Sequence, residues 1–306
     1  MSNLLLTILG PTASGKTRLA VNLANVLDAE IISADSRQVY RDMDIGTGKD
    51  ISEYTIGEKH IPYHLIDIVD AGYKYNVYEY QHDFMQAYAS IKERTKQAIL
   101  CGGTGLYIES VLKGYKLMSV PVNHDLRNSL EEKSLEELTR MLSGYKQLHN
   151  TTDVDTVKRA IRAIEIEEYY QTHPETRSEF SKTPSLVFGL SLDREERRKR
   201  ISQRLKARLK EGMIEEVQSI IDSGVSVEDL IYYGLEYKYV TLFITGTLSY
   251  QEMYDKLEIA IHQFAKRQMT WFRGMEKRGT KIQWLDALSD IDENVQKILD
   301  AFNRVC

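Results

Sequence analysis

The chain has 306 residues, of which 42% are hydrophobic, and a formal net charge of -5 at pH 7. This length is sufficient for a full α/β core together with a second module. The negative net charge excludes nucleic-acid binding through overall charge, so that any such binding requires local basic patches.

The first predicted elements are a strand over residues 4–9 and a helix over residues 18–27, joined by a glycine-bounded loop. The loop reads Gly10-Pro11-Thr12-Ala13-Ser14-Gly15-Lys16-Thr17. Gly10 and Gly15 let the backbone turn its N–H groups toward an anion. Lys16 adds a mobile positive charge, and the Thr17 hydroxyl can ligate Mg²⁺. This pattern predicts a polyphosphate-binding P-loop, with a nucleoside triphosphate as the default ligand and a turn without ligand as the alternative.

The next segments alternate between strand and helix patterns. Apolar runs predict strands over residues 30–34, 64–69 and 98–101, and helical spacing predicts helices over residues 76–96 and 106–112, with a loop over residues 40–50. This alternation is typical of a parallel sheet. Asp35 follows the second strand, at the sheet edge where ligands bind in open α/β folds. It is a candidate catalytic acid or base; the alternatives are a helix cap or an indirect metal contact.

The pattern changes near Pro121. From there to Pro184 no strand is predicted, and three helical stretches cover residues 125–133, 135–144 and 155–170. A strand pattern resumes over residues 185–190. We therefore expect a P-loop NTPase-like α/β core, formed by residues 1–117 and 186–306, with helices on both faces of a parallel sheet. Residues 118–185 would form a helical insertion domain.

A strongly basic helix is predicted over residues 194–210, with Asp193 as its N-cap. Apolar residues recur every four positions and predict a buried stripe: Ile201, Leu205 and Leu209. Arginines recur with the same period on the neighbouring face: Arg200, Arg204 and Arg208. A row of arginines beside the buried stripe favours an anion site over a solvated charged face.

The last helix recognised in the sequence covers residues 250–273. Its end combines the basic residues Lys266 and Arg267 with the aromatic residues Trp271 and Phe272. Such a segment can hold a nucleic-acid strand through phosphate contacts and stacking. It can equally be an ordinary helix C-terminus, where basic residues complement the helix dipole.

Two cysteines, Cys101 and Cys306, suggest neither a disulfide framework nor a zinc site. The first strand begins so early that no room is left for a signal peptide, and no apolar run approaches the roughly 20 residues that span a bilayer. We expect a soluble cytoplasmic protein, without a membrane partner and monomeric.

The residues alone leave two kinds of chemistry open. In a small-molecule or nucleotide kinase, the P-loop and Mg²⁺ hold a triphosphate and an acid orients the acceptor hydroxyl. In a transferase that releases diphosphate, the same loop stabilises the charge that develops on the leaving group. Composition does not separate these two.

Motifs along most of the chain resemble those of the tRNA dimethylallyltransferases, also called isopentenyl-tRNA transferases. Besides the P-loop, the resemblance rests on Ile32-Ser33-Ala34-Asp35-Ser36, Tyr40 with Met43-Asp44-Ile45-Gly46-Thr47, His64-Leu65-Ile66-Asp67, Gly102-Gly103-Thr104-Gly105-Leu106-Tyr107, Arg200-Ile201 with Arg204, and Ala265-Lys266-Arg267-Gln268 with Thr270-Trp271. The motifs over residues 32–36 and 102–107 and the C-terminal stretch are specific, whereas many families share the P-loop.

The resemblance implies transfer of a dimethylallyl group from its diphosphate to N6 of adenosine 37 of tRNA, next to the anticodon. Residues 10–17 would bind the donor's diphosphate, with Lys16 neutralising it and Thr17 holding Mg²⁺. Arg204 would add a guanidinium to the leaving group. Asp35 would accept a proton from the adenine amine as the C–N bond forms, after the base has been extruded from the stacked loop.

The resemblance also implies a set of tRNA contacts, in which the helical insertion clamps the anticodon stem–loop. Together with the basic C-terminal segment, the expected tRNA-binding residues are Asp35, Ser36, Arg37, Gln38, Thr104, Arg127, Lys158, Arg159, Arg162, Lys266 and Arg267. A further contact stretch, residues 232–236, departs from the family pattern, because the basic residue expected after Gly234 is missing and Glu236 and Lys238 stand nearby. Three alternatives stay open: a kinase, an enzyme that prenylates free adenine nucleotides, and a non-catalytic RNA-binding module.

Overall fold

The structure is a computed structural model that describes residues 4–146, 148, 152–173 and 181–305. The chain divides into two compact units. One is an α/β unit made of Met1–Gly114 and Ser181–Cys306, and the other is a helical unit made of Tyr115–Phe180. The sequence analysis placed the helical insertion at residues 118–185.

The strands, in chain order, are β1 (Leu5–Leu9), β2 (Glu30–Ser33), β3 (Thr55–Ile56), β4 (Lys59–His60), β5 (Tyr63–His64), β6 (Ala98–Gly102), β7 (Ser185–Ser191) and β8 (Ile282–Asp286). Six of them form one sheet in the order β5-β2-β6-β1-β7-β8, and every neighbouring pair in it is parallel. β3 and β4 form a separate antiparallel pair. The predicted parallel α/β core is thus confirmed.

The helices, in chain order, are α1 (Lys16–Leu27), α2 (Val77–Glu93), α3 (Gly105–Lys113), α4 (His124–Leu130), α5 (Leu135–Tyr145), α6 (Val157–Thr172), α7 (Arg194–Lys210), α8 (Met213–Asp222), α9 (Val227–Tyr233), α10 (Leu235–Ile244), α11 (Tyr250–Lys277) and α12 (Ile291–Asn303). Three of these helices, α4, α5 and α6, belong to the helical unit.

Helices cover both faces of the sheet because its strands are apolar on both sides. In β1, Leu5 and Leu9 face one buried cluster, whereas Leu6 and Ile8 face another. Side chains of α1 and α12 fill the second cluster, and those of α2, α3 and α7–α11 fill the first. Such two-sided burial is typical of parallel sheets.

The predicted strand over residues 64–69 is wrong beyond its first residue. Leu65 and Asp67 have φ angles of 61° and 56°, a left-handed conformation that interrupts an extended strand. The buried Lys49 amine binds the Asp67 carboxylate and also the Asp44 carboxylate. This ion cluster holds the chain in a loop where the apolar pattern alone favoured a strand.

The sequence analysis assigned no strand after residue 190, yet β8 completes the sheet beside β7. It also assigned none of the helices α8, α9, α10 and α12. By contrast, α7 has the predicted bounds, and Asp193 caps it by accepting hydrogen bonds from the N–H groups of Glu195 and Glu196 at 2.8 and 3.0 Å.

The helical unit has its own small core. Its apolar side chains come from α4, α5 and α6 and include Leu130, Leu142 and Ile164. Ser134 begins α5 with a reciprocal capping box to Glu137. No strand occurs in the described part of residues 121–184, as predicted.

Cys101 is buried in β6, and burial raises the pKa of its thiol to about 12. Cys306 lies outside the described residues. Among the helices that the structure describes, none combines the length and the apolar character needed to cross a membrane.

Candidate active site

The P-loop forms a tight turn between β1 and α1. A Cβ atom at Gly10 would lie 2.7 Å from Ser14 Oγ, so the turn closes only over a glycine. Ala13 and Gly15 have φ angles of 62° and 82°, which turn successive N–H groups toward one side. Within the described chain, the N–H groups of Ala13, Ser14 and Gly15 form no hydrogen bond, and the buried Ser14 Oγ has no partner either. The turn therefore presents several donors that fit an anion.

Lys16 and Thr17 are the first two residues of α1, and both side chains are half-buried. Burial lowers the pKa of the Lys16 amine, and the negative charge of Asp35 partly opposes this shift. No side chain caps the N-terminus of this helix, and the Thr17 hydroxyl forms no hydrogen bond with another described residue. The turn thus joins a cation and a free hydroxyl to the dipole of a helix.

Asp35 lies two residues beyond Ser33, the last residue of β2, and its charge acts on the Lys16 amine. Its Oδ1 accepts a hydrogen bond of 3.0 Å from the N–H of Arg37. The neighbouring Ser36 N–H donates to Thr104 Oγ1 at 3.0 Å. Because β6 lies between β2 and β1, the loops that follow these three strands meet at the carboxyl edge of the sheet.

Gln268 of α11 connects two of these loops. Its Oε1 accepts a hydrogen bond of 2.9 Å from the N–H of Thr12, and its Nε2 donates to the Gly103 carbonyl at 3.0 Å. A Cβ atom at Gly103 would come within 2.5 Å of Nε2, and one at Gly105 within 2.2 Å of the Trp271 ring. The glycines of this loop thus make room for α11. Gln268 belongs to one of the motifs that carry the family resemblance, and its place in the sequence predicts no role for it.

The three arginines of α7 have different surroundings. Arg200 forms an ion pair of 2.9 Å with Glu196 on the same helix. Arg204 donates to the Asp50 carboxylate at 3.3 Å, and Arg208, whose side chain is only 10% exposed, lies 3.8 Å from the same oxygen. Burial, reinforced by the like charge of Arg204, lowers the pKa of Arg208 to about 10, so its guanidinium stays charged at neutral pH.

Arg204 and Arg208 share one pocket with the P-loop. The residues that line it are Thr12, Ala13, Ile201, Arg204, Leu205, Arg208, Glu236 and Ile261. Burial raises the pKa of the Glu236 carboxyl, and both arginines oppose this shift. The structure therefore brings together the P-loop, Asp35 and the predicted Arg204, and it adds Arg208 and Glu236.

The comparisons with known proteins agree with this arrangement. The model of the IPP transferase family matches residues 38–275. The chain belongs to this family. It is 64% identical over 296 residues to tRNA dimethylallyltransferase 2 of Phocaeicola vulgatus. The alignment covers 97% of this chain and 96% of the relative. It is 62% identical over 300 residues to tRNA dimethylallyltransferase 1 of Parabacteroides distasonis, covering 98% of each chain.

A solved structure extends the comparison to the fold. The full-length tRNA isopentenylpyrophosphate transferase of Bacillus halodurans superposes with a TM-score of 0.70 at 30% identity, covering 99% of this chain and 96% of that chain. The family resemblance inferred from the motifs is thus confirmed.

In this IPP transferase, the motif over residues 43–47 is held by an acid that the sequence analysis did not notice. Glu216 accepts hydrogen bonds from the N–H groups of Asp44, Ile45 and Gly46 at 2.9, 2.6 and 3.0 Å. It also accepts one of 2.6 Å from the Tyr237 hydroxyl. The motif's backbone is therefore fixed from α8 and α10.

The stretch that departs from the family pattern forms the end of α9 and the start of α10. Tyr232 is 50% exposed. Its ring centroid lies 5.9 Å from the guanidinium carbon of Arg37 and 6.0 Å from Lys74 Nζ. An exposed aromatic ring with two cations beside it is a surface on which a nucleotide base can stack.

The remaining expected tRNA contacts of this IPP transferase fall into two classes. In the helical unit, Arg127 and Arg162 both donate to the buried Glu165 carboxylate, and Arg159 pairs with Asp155. Exposed side chains make up the second class: Lys158, Lys266 and Arg267. Gln38 is engaged locally, donating to the Gly48 carbonyl at 3.0 Å.

Proposed function

We propose that this chain transfers a dimethylallyl group from dimethylallyl diphosphate to N6 of adenosine 37 of tRNA, with release of diphosphate. The observation that carries the proposal is the 64% identity, over nearly the whole of both chains, to a protein named tRNA dimethylallyltransferase 2. The P-loop, the acid and the arginines described above supply the groups that such a transfer needs.

The leaving diphosphate would be bound by the inward-facing N–H groups of residues 13–15 and by Lys16. Arg204 would add a charge-assisted hydrogen bond, and its present partner, the Asp50 carboxylate, is half exposed. Negative charge grows on the diphosphate as the carbon–oxygen bond breaks. Donors fixed beforehand around that charge stabilise the transition state more than the ground state.

The acceptor amine would be deprotonated by Asp35. The amine proton becomes acidic only as the new C–N bond develops, so a carboxylate can accept it late in the step. Asp35 fits this role because one of its oxygens is held by the Arg37 N–H while the side chain stays partly exposed. The adenine would reach it by leaving the stacked anticodon loop.

We include Mg²⁺ as the divalent ion of the reaction, with the Thr17 hydroxyl as its protein ligand. Mg²⁺ commonly takes few protein oxygens and completes its shell with water and substrate phosphates, so one hydroxyl beside a diphosphate site fits it. Among the described residues, no cluster of three or more His, Cys, Asp or Glu side chains could hold a metal. When bound, the ion would neutralise charge on the diphosphate.

The tRNA would be held by two groups of residues. Near the acid, Ser36, Arg37, Gln38 and Thr104 would contact the extruded nucleotide and its neighbours. In the helical unit and on α11, basic side chains would bind phosphates: Arg127, Lys158, Arg159, Arg162, Lys266 and Arg267. Paired arginines such as Arg127 can still donate their remaining N–H groups, because a guanidinium has five.

The decisive experiment is the mass of the product. The protein, which we take to be monomeric, is incubated with dimethylallyl diphosphate, Mg²⁺ and an unmodified tRNA that carries adenosines at positions 36 and 37. We expect a gain of one C5H8 unit on adenosine 37, and no gain on the same tRNA with guanosine there. Prenylation of free AMP in place of tRNA, or ATP turnover with a small acceptor and no mass gain, would overturn the proposal.

A further inference from the structure

Arg208 is buried without a complete set of partners. Its Nη2 atom is inaccessible to solvent and forms no hydrogen bond with any described residue. The Asp50 Oδ2 atom lies 3.8 Å from it, beyond hydrogen-bond range. A buried cation left unpaired destabilises a fold. Such a group in a native structure calls for an explanation, and a bound ligand is one.

The Arg208 side chain lies beside the P-loop, where a ligand phosphate is expected. Arg208 lines the same pocket as Thr12 and Ala13 of the P-loop and as Arg204. A Cβ atom at Gly48 would lie 1.8 Å from Arg208 Nη2 and 2.1 Å from Arg204 Nη2. Both guanidinium groups therefore converge on the bare backbone of Gly48, and the glycine is what permits their approach.

Two guanidinium groups that converge in this way repel each other. The one carboxylate within 4 Å of both, among the described residues, is that of Asp50, which is half exposed and contacts them at 3.3 and 3.8 Å. The buried Glu236 carboxyl also acts on Arg208, but burial raises its pKa, and the Asp50 carboxylate is solvated, so these two acids compensate the two cations poorly. A diphosphate carries several charges and presents oxygens to two planar forks at once.

The pocket also contains the departure from the family pattern. Glu236 stands in the stretch that lacks the expected basic residue, and it lines the pocket together with Arg208. In this chain, the second positive charge of the pocket is that of Arg208, which like Arg204 belongs to α7. The row of arginines with a four-residue period, noted in the sequence, thus ends inside the site.

We propose that Arg208 is a second arginine of the diphosphate site, which together with Arg204 clamps the donor's diphosphate and displaces Asp50 from between them. This inference rests on the proposed function, since it names a further binding residue for the same leaving group. It assigns to Arg208 a role in binding the donor and none in binding tRNA.

The test uses inorganic diphosphate as the probe, titrated calorimetrically with Mg²⁺ into the full chain. Arg208→Met keeps much of the side-chain volume and removes the charge. We expect it to weaken diphosphate binding about 10- to 100-fold, the scale of one or two charge-assisted hydrogen bonds. Arg208→Lys should lose less. The matched control is Arg198→Met on the exposed face of α7, which should stay within about twofold of wild type.

Thermal unfolding separates a binding role from a structural one. Removing an unpaired buried charge should leave the Tm of Arg208→Met equal to wild type or raise it by about 2 °C or more. A Tm that falls together with the affinity assigns Arg208 to folding and overturns the inference. So does a variant that binds diphosphate within twofold of wild type. Wild-type protein that neither binds diphosphate nor prenylates tRNA would overturn the proposed function itself.

Discussion

The Glu165 cluster of the helical unit and the site around the P-loop treat the same residue types in opposite ways. In the helical unit, Glu165 is 2% exposed and accepts hydrogen bonds from Arg127, from Arg162 and from the N–H of Asn123. In the α/β unit, Asp35 accepts one hydrogen bond from within the described chain, and Arg208 keeps an unpaired nitrogen.

This difference separates charges that hold the fold from charges that remain available to a ligand. Burial alone would raise the pKa of Glu165, but its two arginines and the Asn123 N–H hold it below its ordinary value. Both carboxylate oxygens of Glu165 have hydrogen-bond partners, and this cluster fixes the helices around it. Around the P-loop, fixed N–H donors and the Nη2 atom of Arg208 lack partners among the described residues, which is the condition for stabilising a bound polyanion. An arginine's spacing in the sequence does not reveal which class it belongs to.

The largest effect on prenyl transfer is expected for Asp35, the carboxylate that remains available to a ligand. Asp35→Asn keeps the shape and removes the proton acceptor, so prenyl transfer should fall about 10²- to 10⁴-fold. Binding of donor and tRNA should change little. Single-turnover transfer and separate binding titrations measure both. Asp42→Asn, an exposed acid nearby in the chain, is the matched control; equal losses in the two variants, or loss of binding in Asp35→Asn, would remove the general-base role.

Substitution of Glu165, whose carboxylate is fully hydrogen-bonded, should lower the stability of the fold. Glu165→Gln leaves Arg127 and Arg162 without their charged partner, and we expect a loss of about 3–5 kcal/mol in the free energy of unfolding of the helical unit. Urea denaturation followed by circular dichroism measures it. Glu168→Gln, a half-exposed acid on the same helix, should change the stability by less than about 0.5 kcal/mol. Equal stabilities of the two variants would contradict the assignment.

The same cluster predicts a pH dependence. The pKa of Glu165 is lower in the folded chain than its ordinary value of 4.5. Its ionisation therefore stabilises the fold above pH 4.5, and this contribution is lost as the pH falls below that value toward the folded-state pKa. The stability difference between wild type and Glu165→Gln should accordingly shrink in acid. A difference that stays constant from neutral pH to below pH 4 would exclude the linkage.

A comparison of two arginines of α7 tests whether each side chain is available to the ligand. Arg204→Ala should slow prenyl transfer by more than tenfold, because a charge-assisted contact to the leaving group is lost. Arg200→Ala removes an ion pair on the helix surface and should cost only about 0.3–0.5 kcal/mol of stability, with turnover unchanged. Steady-state rates at saturating tRNA measure the contrast, and similar rates for the two variants would place Arg204 outside the site.

The smallest effect is expected on the helical unit's exposed face. Lys158 is exposed and has no ion pair among the described residues, whereas Arg159 is paired with Asp155. If Lys158 contacts a phosphate, Lys158→Gln should lower the slope of log affinity for tRNA against log salt by roughly 0.7 to 0.9. Arg159→Gln should lower it less. Filter binding at several salt concentrations decides between them.

Local signals explain what the sequence predicted. The P-loop could be predicted because its residues are consecutive in the sequence. The two glycines that the turn needs, Gly10 and Gly15, stand within it. Asp35 could be found because it follows a buried strand directly. The bounds of α7 followed from its cap and its four-residue repeat.

Long-range packing explains what the sequence did not predict. Thr12 and Gln268 are bonded across 256 positions, a separation that leaves no spacing to recognise. Arg200 and Arg208 share one helical repeat, yet only Arg208 is buried, because Gly48, Glu236 and Ile261 approach it from other parts of the chain. The strand predicted beyond His64 fails because a lysine 18 positions from Asp67 fixes that aspartate in a loop.

The bond between Thr12 and Gln268 has a consequence for biosynthesis. A ribosome makes the P-loop before α11, so the amide that fixes the loop arrives only after the residues between them have been made. A truncated nascent chain contains the glycine-rich turn without this support. The loop should therefore reach its final conformation only after α11 has been made.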